Sequence, residues 1–127
     1  VVHAGWRGLS AGVIENSIAE MSRKGNEIIA WLGPAIGPKH FEVGEEVREV
    51  FLKQDSKSSS AFTLSHDSNK WFADLFTLAR LRLAEAGVTK VYGGNECTFS
   101  NPLRFYSYRR DGKTGRMAAL IWLTDTI

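Results

Sequence analysis

Residues 33 to 38 read Gly33-Pro34-Ala35-Ile36-Gly37-Pro38, and neither a helix nor a ladder-forming strand runs through two prolines and two glycines set so close together. Proline fixes φ and removes a backbone N–H, whereas glycine frees φ, so this segment is a rigid turn suited to the wall of a pocket. Whatever fold the chain adopts has to change direction here.

On either side of that turn the apolar residues follow two different periods. Ile28 to Leu32 is a compact, β-favouring run and predicts a short buried strand. Before it, Ala11, Ile14, Ile18 and Met21 recur at helical steps and predict a helix from Leu9 to about Lys24, ended by Gly25. After the turn, Val43, Val47, Val50 and Phe51 predict a second helix over 43–53, with Glu42, Glu45 and Glu46 at the end where the helix dipole favours them. Gln54 to Ser60 is polar and serine-rich, the best candidate for a mobile loop, and Phe62 to Leu64 reads as a brief strand.

The longest predicted helix is Lys70 to Ala86. Phe72, Leu75, Phe76, Ala79 and Leu83 share one face, and Gly87 stands at its C-terminal end. Asp74 interrupts that face, either as a solvated or capping carboxylate or as support for a ligand site. Val88 to Tyr92 reads as a strand entering the turn Gly93-Gly94-Asn95. Two aromatic-rich runs, Phe105 to Tyr108 and Met117 to Leu123, flank a segment containing Asp111-Gly112, a hairpin signal. The expected class is α/β (α+β): a mixed β-sheet flanked by helices and closing with an antiparallel hairpin.

The 127 residues fit one domain spanning 1–127. A hydrophobic content of 43% and a charged content of 24% are those of an ordinary globular protein. The net charge of +2 is too small to argue for a nucleic-acid surface, so no nucleic-acid partner is expected. Basic residues concentrate only around Arg104 to Arg116. A single cysteine, Cys97, excludes an internal disulfide and makes a reducing, cytoplasmic location the expectation. No apolar run reaches the roughly 20 residues that span a bilayer, so no membrane partner is expected. The sequence opens inside a predicted strand without a methionine, which fits N-terminal processing or part of a longer chain.

Chemistry is expected first at Val1-Val2-His3-Ala4-Gly5-Trp6-Arg7-Gly8-Leu9, where an apolar strand gives way to a helix. Gly5 and Gly8 permit a tight turn, and a helix N-terminus beside Arg7 attracts anions such as phosphate. By its local spacing alone, His3 reads either as a hydrogen-bonded structural histidine or as a metal ligand. His40, His66 and Cys97 lie far from it in sequence, with no pair at a ligand spacing. Glu96-Cys97-Thr98 carries no nucleophile signature, and a lone cysteine is most often a small buried hydrophobe. Arg109 and Arg110, beside Tyr106 and Tyr108, form a second cluster. They read either as a solvated hairpin paired with Asp111 or as a guanidinium site for phosphate or carboxylate, with an aromatic to stack on a base. Alternation along a strand would send only one of the two arginines into a given pocket.

Taken together, His3-Ala4-Gly5-Trp6-Arg7-Gly8, Trp31-Leu32-Gly33-Pro34-Ala35-Ile36-Gly37-Pro38 with Phe41-Glu42-Val43-Gly44, and Phe105-Tyr106-Ser107-Tyr108-Arg109-Arg110-Asp111 with Thr114-Gly115-Arg116-Met117-Ala118 resemble the YfiH-type laccase-domain family. That family is also described as polyphenol oxidase-like or as purine nucleoside phosphorylases of the laccase-domain type. The resemblance runs through the whole chain in order and corresponds to the C-terminal half of a protein about twice as long. It implies a CNF1/YfiH-like fold and a metal site, usually zinc with copper as the alternative, that uses two histidines and a cysteine. His3 matches one of those histidines. The other two ligands belong to upstream motifs that have no match here, and Cys97 is not at the position of the family's cysteine.

The implied activity is metal-dependent phosphorolysis of purine nucleosides (adenosine, inosine and methylthioadenosine), with adenosine deamination as a side activity. The partners would then be a purine nucleoside and phosphate. Arg7 and one of Arg109 or Arg110 are the expected phosphate donors, and Trp6 or Tyr106 the expected stacking residue; no catalytic residue is assigned and the oligomeric state is open. Copper-dependent oxidation of phenols is the alternative enzyme reading, disfavoured because multicopper chemistry needs many more histidines than three. An inert folding or assembly module is the non-enzymatic one.

Overall fold

A computed structural model describes residues 1–67 and 69–125. It is a mixed α/β fold with one parallel and one antiparallel sheet. The helical pattern after Trp6 is divided in two. Helix α1 covers Trp6–Ser10 and α2 covers Val13–Glu20, because Gly12 adopts φ +86°, a left-handed conformation that breaks an α-helix and that glycine takes without steric cost. The predicted continuous helix to Lys24 is therefore corrected to two helices, the second ending at Glu20. Gly25 does not end the second one. It sits where an added Cβ would come within 2.4 Å of the Ala86 oxygen and of the Gly87 carbonyl carbon, so glycine is required there for close backbone packing. Val1 and Val2 are exposed and belong to no strand, contrary to the buried strand expected of them.

Strand β1, Ile29–Leu32, pairs in parallel with β5, Lys90–Gly93, with Trp31 opposite Tyr92. Strands β2 (Glu42–Gly44), β3 (Phe62–Leu64) and β4 (Lys70–Ala73) form an antiparallel sheet in the order β2-β4-β3. Helix α3, Glu45–Gln54, follows β2 directly. The serine-rich stretch after it is a 3₁₀ helix, Ser56–Ala61, not a loose loop. Asp55 caps it by accepting from the Lys57 N–H at 2.9 Å, and Ser58 is buried.

The helix expected over Lys70 to Ala86 begins only at Leu75, as α4, Leu75–Glu85. Asp74 decides this by acting as the N-cap. Its carboxylate accepts from the Thr77 N–H at 3.1 Å and from the Thr77 hydroxyl at 2.8 Å, satisfying groups that a helix start leaves orphaned. The four residues before it join the sheet, and the Ala73 N–H donates to the Phe41 carbonyl at 2.9 Å. Gly87 at φ +81° closes α4 as expected. Phe51, Leu78, Leu9 and Val88 are fully enclosed where α1, α3, α4 and the strands meet, the burial that drives the fold.

The closing hairpin is absent among the described residues. Ser107 caps a short helix α5, Tyr108–Asp111, by accepting from the Arg110 N–H at 3.3 Å, and Gly112 ends it at φ +69°. Residues 117–124 run without strand pairing, and Leu120, Ile121, Trp122 and Leu123 are exposed.

Candidate functional site

The Gly33–Pro38 turn is tied to the segment after β5. The Ala35 N–H donates to the Glu96 carbonyl at 3.2 Å, the Thr98 N–H donates to the Ala35 carbonyl at 2.9 Å, and the Gly37 N–H donates to Cys97 Sγ at 3.2 Å. These bonds hold residues 96–108 against the turn. Two open clefts, each of about 320 Å³, lie beside Tyr106 and Tyr108 and share both tyrosines and Met117. His3, Thr114, Gly115 and Arg116 complete the first. Ile36, Phe41, Thr98, Ser107 and Arg109 complete the second.

Of the expected site residues, His3 and Tyr106 meet in the first cleft, and Arg109 reaches the second. His3 is exposed and forms no hydrogen bond or ion pair among the described residues. Arg109 donates to the Glu42 carbonyl at 2.8 Å and rests over the Phe41 ring at 5.0 Å. Arg7 lines neither cleft and lies over the Trp6 ring at 4.6 Å. Trp6 itself packs half-buried against the core.

Arg110 faces inward. Its Nε and one terminal nitrogen hold Asp111 at 2.9 and 2.8 Å, while its terminal nitrogens also donate to the carbonyls of Thr98, Phe99 and Phe105 at 2.9 to 3.1 Å. A guanidinium has five N–H donors, and these five bonds use them all. The hydrogen bond from Arg110 holds the Asp111 carboxyl below its ordinary value, and the same partner holds the Arg110 guanidinium above its own.

Cys97 is half-buried. Burial pushes its thiol up, but hydrogen bonds from the Ser100 side chain and from the Gly37, Ser100 and Phe99 backbones outweigh this and lower it. His40 stacks on Phe99 with ring centroids 4.3 Å apart, and His66 is exposed at the far sheet. Among the described residues no three His, Cys, Asp or Glu side chains converge. The donor set present, His3 alone at its cleft, thus falls short of the three or four ligands that a transition metal takes, and no chemical step is assigned to a metal held by this chain alone.

Thr114, Arg116 and Met117 line the His3 cleft although the sequence reading does not place them at a site, and Tyr108, from the second cluster, lines it too. Their signal in the sequence is the Thr114-Gly115-Arg116-Met117-Ala118 motif, which the hairpin reading divides between a turn ending at Arg116 and a strand beginning at Met117.

The chain belongs to the family described as multi-copper polyphenol oxidoreductase laccase, whose model matches residues 1–124. The description marks it as a metal-binding family. Residues 1–127 are 53% identical over 123 residues to a purine nucleoside phosphorylase of Pseudomonas aeruginosa, covering 97% of this chain and 51% of that protein. They are 54% identical over 121 residues to the purine nucleoside phosphorylase YfiH of Escherichia coli, covering 95% and 49%. A crystal structure of a Neisseria meningitidis protein matches with a TM-score of 0.84 at 48% identity, covering 87% of this chain and 46% of that one. YlmD from Geobacillus stearothermophilus matches at 0.79 and 28% identity, covering 87% and 43%. The chain spans about half the length of the curated relatives it matches. Among the described residues, no helix is long and apolar enough to cross a membrane.

Proposed function

We propose that the intact protein carrying this chain is a metal-dependent purine nucleoside phosphorylase, active on adenosine, inosine and methylthioadenosine, with adenosine deamination as a side activity. The observation that carries the phosphorylase reading is the 54% identity, along 95% of the chain, to the Escherichia coli protein named purine nucleoside phosphorylase YfiH. The opening of His3 onto a cleft walled by Tyr106 and Tyr108 supports it. Zinc is the proposed metal, with copper the alternative; His3 is one ligand and the others come from outside these 127 residues. The proposed location is the cytoplasm.

In phosphorolysis a phosphate oxygen attacks the anomeric carbon of the ribose, the bond from that carbon to the purine nitrogen breaks, and ribose 1-phosphate and the free base leave. The proposed roles of the chain's own residues are binding and orientation. Tyr106 or Tyr108 offers an aromatic face for the purine, and cationic side chains counter the charge of the incoming phosphate.

The intact protein, incubated with inosine and phosphate, is expected to release hypoxanthine and ribose 1-phosphate in equal amounts, with metal content measured on the same sample. Turnover of phenols without ribose 1-phosphate would replace this reading with the polyphenol oxidase one. That alternative is weaker here, because His3 is the one histidine of three that lines either cleft.

A further inference from the structure

Two arginines line the clefts, Arg109 one and Arg116 the other, while Arg7 and Arg110 line neither. Arg110 has spent all its donors on Asp111 and three carbonyls. Arg109 is tied by one terminal nitrogen to the Glu42 carbonyl, lies over Phe41 and lines the cleft without His3, and Arg7 lies on Trp6 away from both clefts. Arg116 lines the cleft that His3 lines. Among the described residues it pairs with no carboxylate, and its only hydrogen bonds are two long ones from a single terminal nitrogen, to the carbonyls of Thr114 and Gly115 at 3.3 and 3.2 Å. Its Nε and other terminal nitrogen remain available for a two-pronged bond.

The surroundings of Arg116 suit an anion. No Asp or Glu lines the cleft, so nothing there offsets the guanidinium charge or repels an oxyanion. Thr114 lines the same cleft; its hydroxyl is closed off from solvent and has no hydrogen-bond partner, so a turn about its Cα–Cβ bond would bring this unsatisfied donor to a ligand oxygen. Gly115 between them lets the Tyr106 ring lie against the backbone, since a Cβ there would come within 2.8 Å of that ring. An aromatic face and a guanidinium with free donors therefore line one cleft with His3, and Thr114 beside them carries an unpaired hydroxyl.

We propose that Arg116, assisted by the Thr114 hydroxyl, is the phosphoryl-binding residue of the His3 cleft. It receives the oxyanion of inorganic phosphate in one direction of the reaction and of a sugar phosphate in the other. This assignment rests on the phosphorolysis reading for its substrate, but its geometry does not.

The test uses the intact protein with Arg116→Ala and Arg116→Lys. Binding of inorganic phosphate and of ribose 1-phosphate is measured directly by calorimetry, and KM for phosphate and for inosine is measured separately. Loss of a charge-assisted, two-pronged contact is expected to weaken phosphate binding and raise its KM about 10- to 100-fold, with the KM for inosine changed less than about 3-fold. Lysine should restore only part, as a point charge without the planar fork. Arg116 is exposed, so thermal melting of both variants should match the parent.

Weakened binding of both ligands assigns the site to the phosphoryl group in either form, and weakened binding of one alone narrows it to that form. Unchanged phosphate binding and KM in Arg116→Ala, with phosphorolysis intact, would overturn the proposal and leave the function standing. Phosphate binding that depends on Arg116 in a protein without phosphorolysis would keep the proposal and overturn the function. A parent protein that binds neither phosphate nor ribose 1-phosphate would end both.

Discussion

Helix α3 and strand β1 carry similar bulky side chains to opposite fates. Phe51 of α3 has no exposed surface, whereas Trp31 of β1 is 63% exposed, with Ile29 beside it at 66% and Tyr92 of β5 at 58%. The inner side of the β1–β5 pair, Ala30, Leu32 and Val91, packs on the core. The outer side lies open among the described residues, although parallel strands ordinarily have both faces covered. Leu120, Ile121 and Trp122 are as open as Trp31. The apolar character of a segment sets what it can bury, while the elements packed against it set whether it does so. In this chain the α1–α4 side is enclosed by its own residues and the β1–β5 side is not.

Substitutions on the two sides should therefore behave differently. Phe51→Ala, which removes a fully enclosed ring, is expected to cost about 3–5 kcal/mol in urea unfolding; a loss under about 1 kcal/mol would mean that the enclosed side is loosely packed. Asp74→Ala, which strips α4 of its cap, is expected to cost about 1 kcal/mol, with Asp74→Asn largely restoring it. Trp31→Ser should change stability by less than about 0.5 kcal/mol while lowering the fluorescence of a dye that binds open apolar surface. A loss rivalling that of Phe51→Ala would erase the contrast.

The smallest effect is one of pH. The bond from Arg110 depresses the Asp111 carboxyl in the folded state, so its contribution is complete above its ordinary value of 3.8 and is lost as pH falls through the lower folded value. The melting temperature should decline slightly more across that acid range in the parent than in Asp111→Asn.

Much of this fold could be read from the sequence wherever one segment decides its own structure. The strand at Phe62 to Leu64, the rigid turn at 33–38, the α3 periodicity from Val47 onward and the Gly87 cap all follow from local chemistry; the Ile28 to Leu32 run forms a strand as expected, at Ile29–Leu32, but not a buried one, since Ile29 and Trp31 are exposed, and Val43 lies in β2 rather than in the helix. The failures came where one residue admitted two roles. Asp111-Gly112 suits a hairpin turn, but with Ser107 upstream to cap a helix, Gly112 instead supplies the positive-φ residue that ends α5. Phe72 fits a helical face, yet the Asp74 cap and the pairing of β4 with β2 and β3 place it in a strand. At the site, His3 and Tyr106 could be picked out by residue type. Their meeting across more than a hundred residues, with Arg116 completing the cleft, is set by long-range packing that no local pattern encodes.

The knot around Arg110 also bears on binding without touching a ligand. By tying residues 98, 99 and 105 to residue 111, it removes freedom from the backbone that carries both tyrosines before anything arrives. A ligand meeting an already ordered wall loses less entropy on association. In the intact protein, Arg110→Lys, which keeps the charge but not the five-way fork, should therefore weaken affinity for the proposed nucleoside through a floppier free state even though no direct contact is lost.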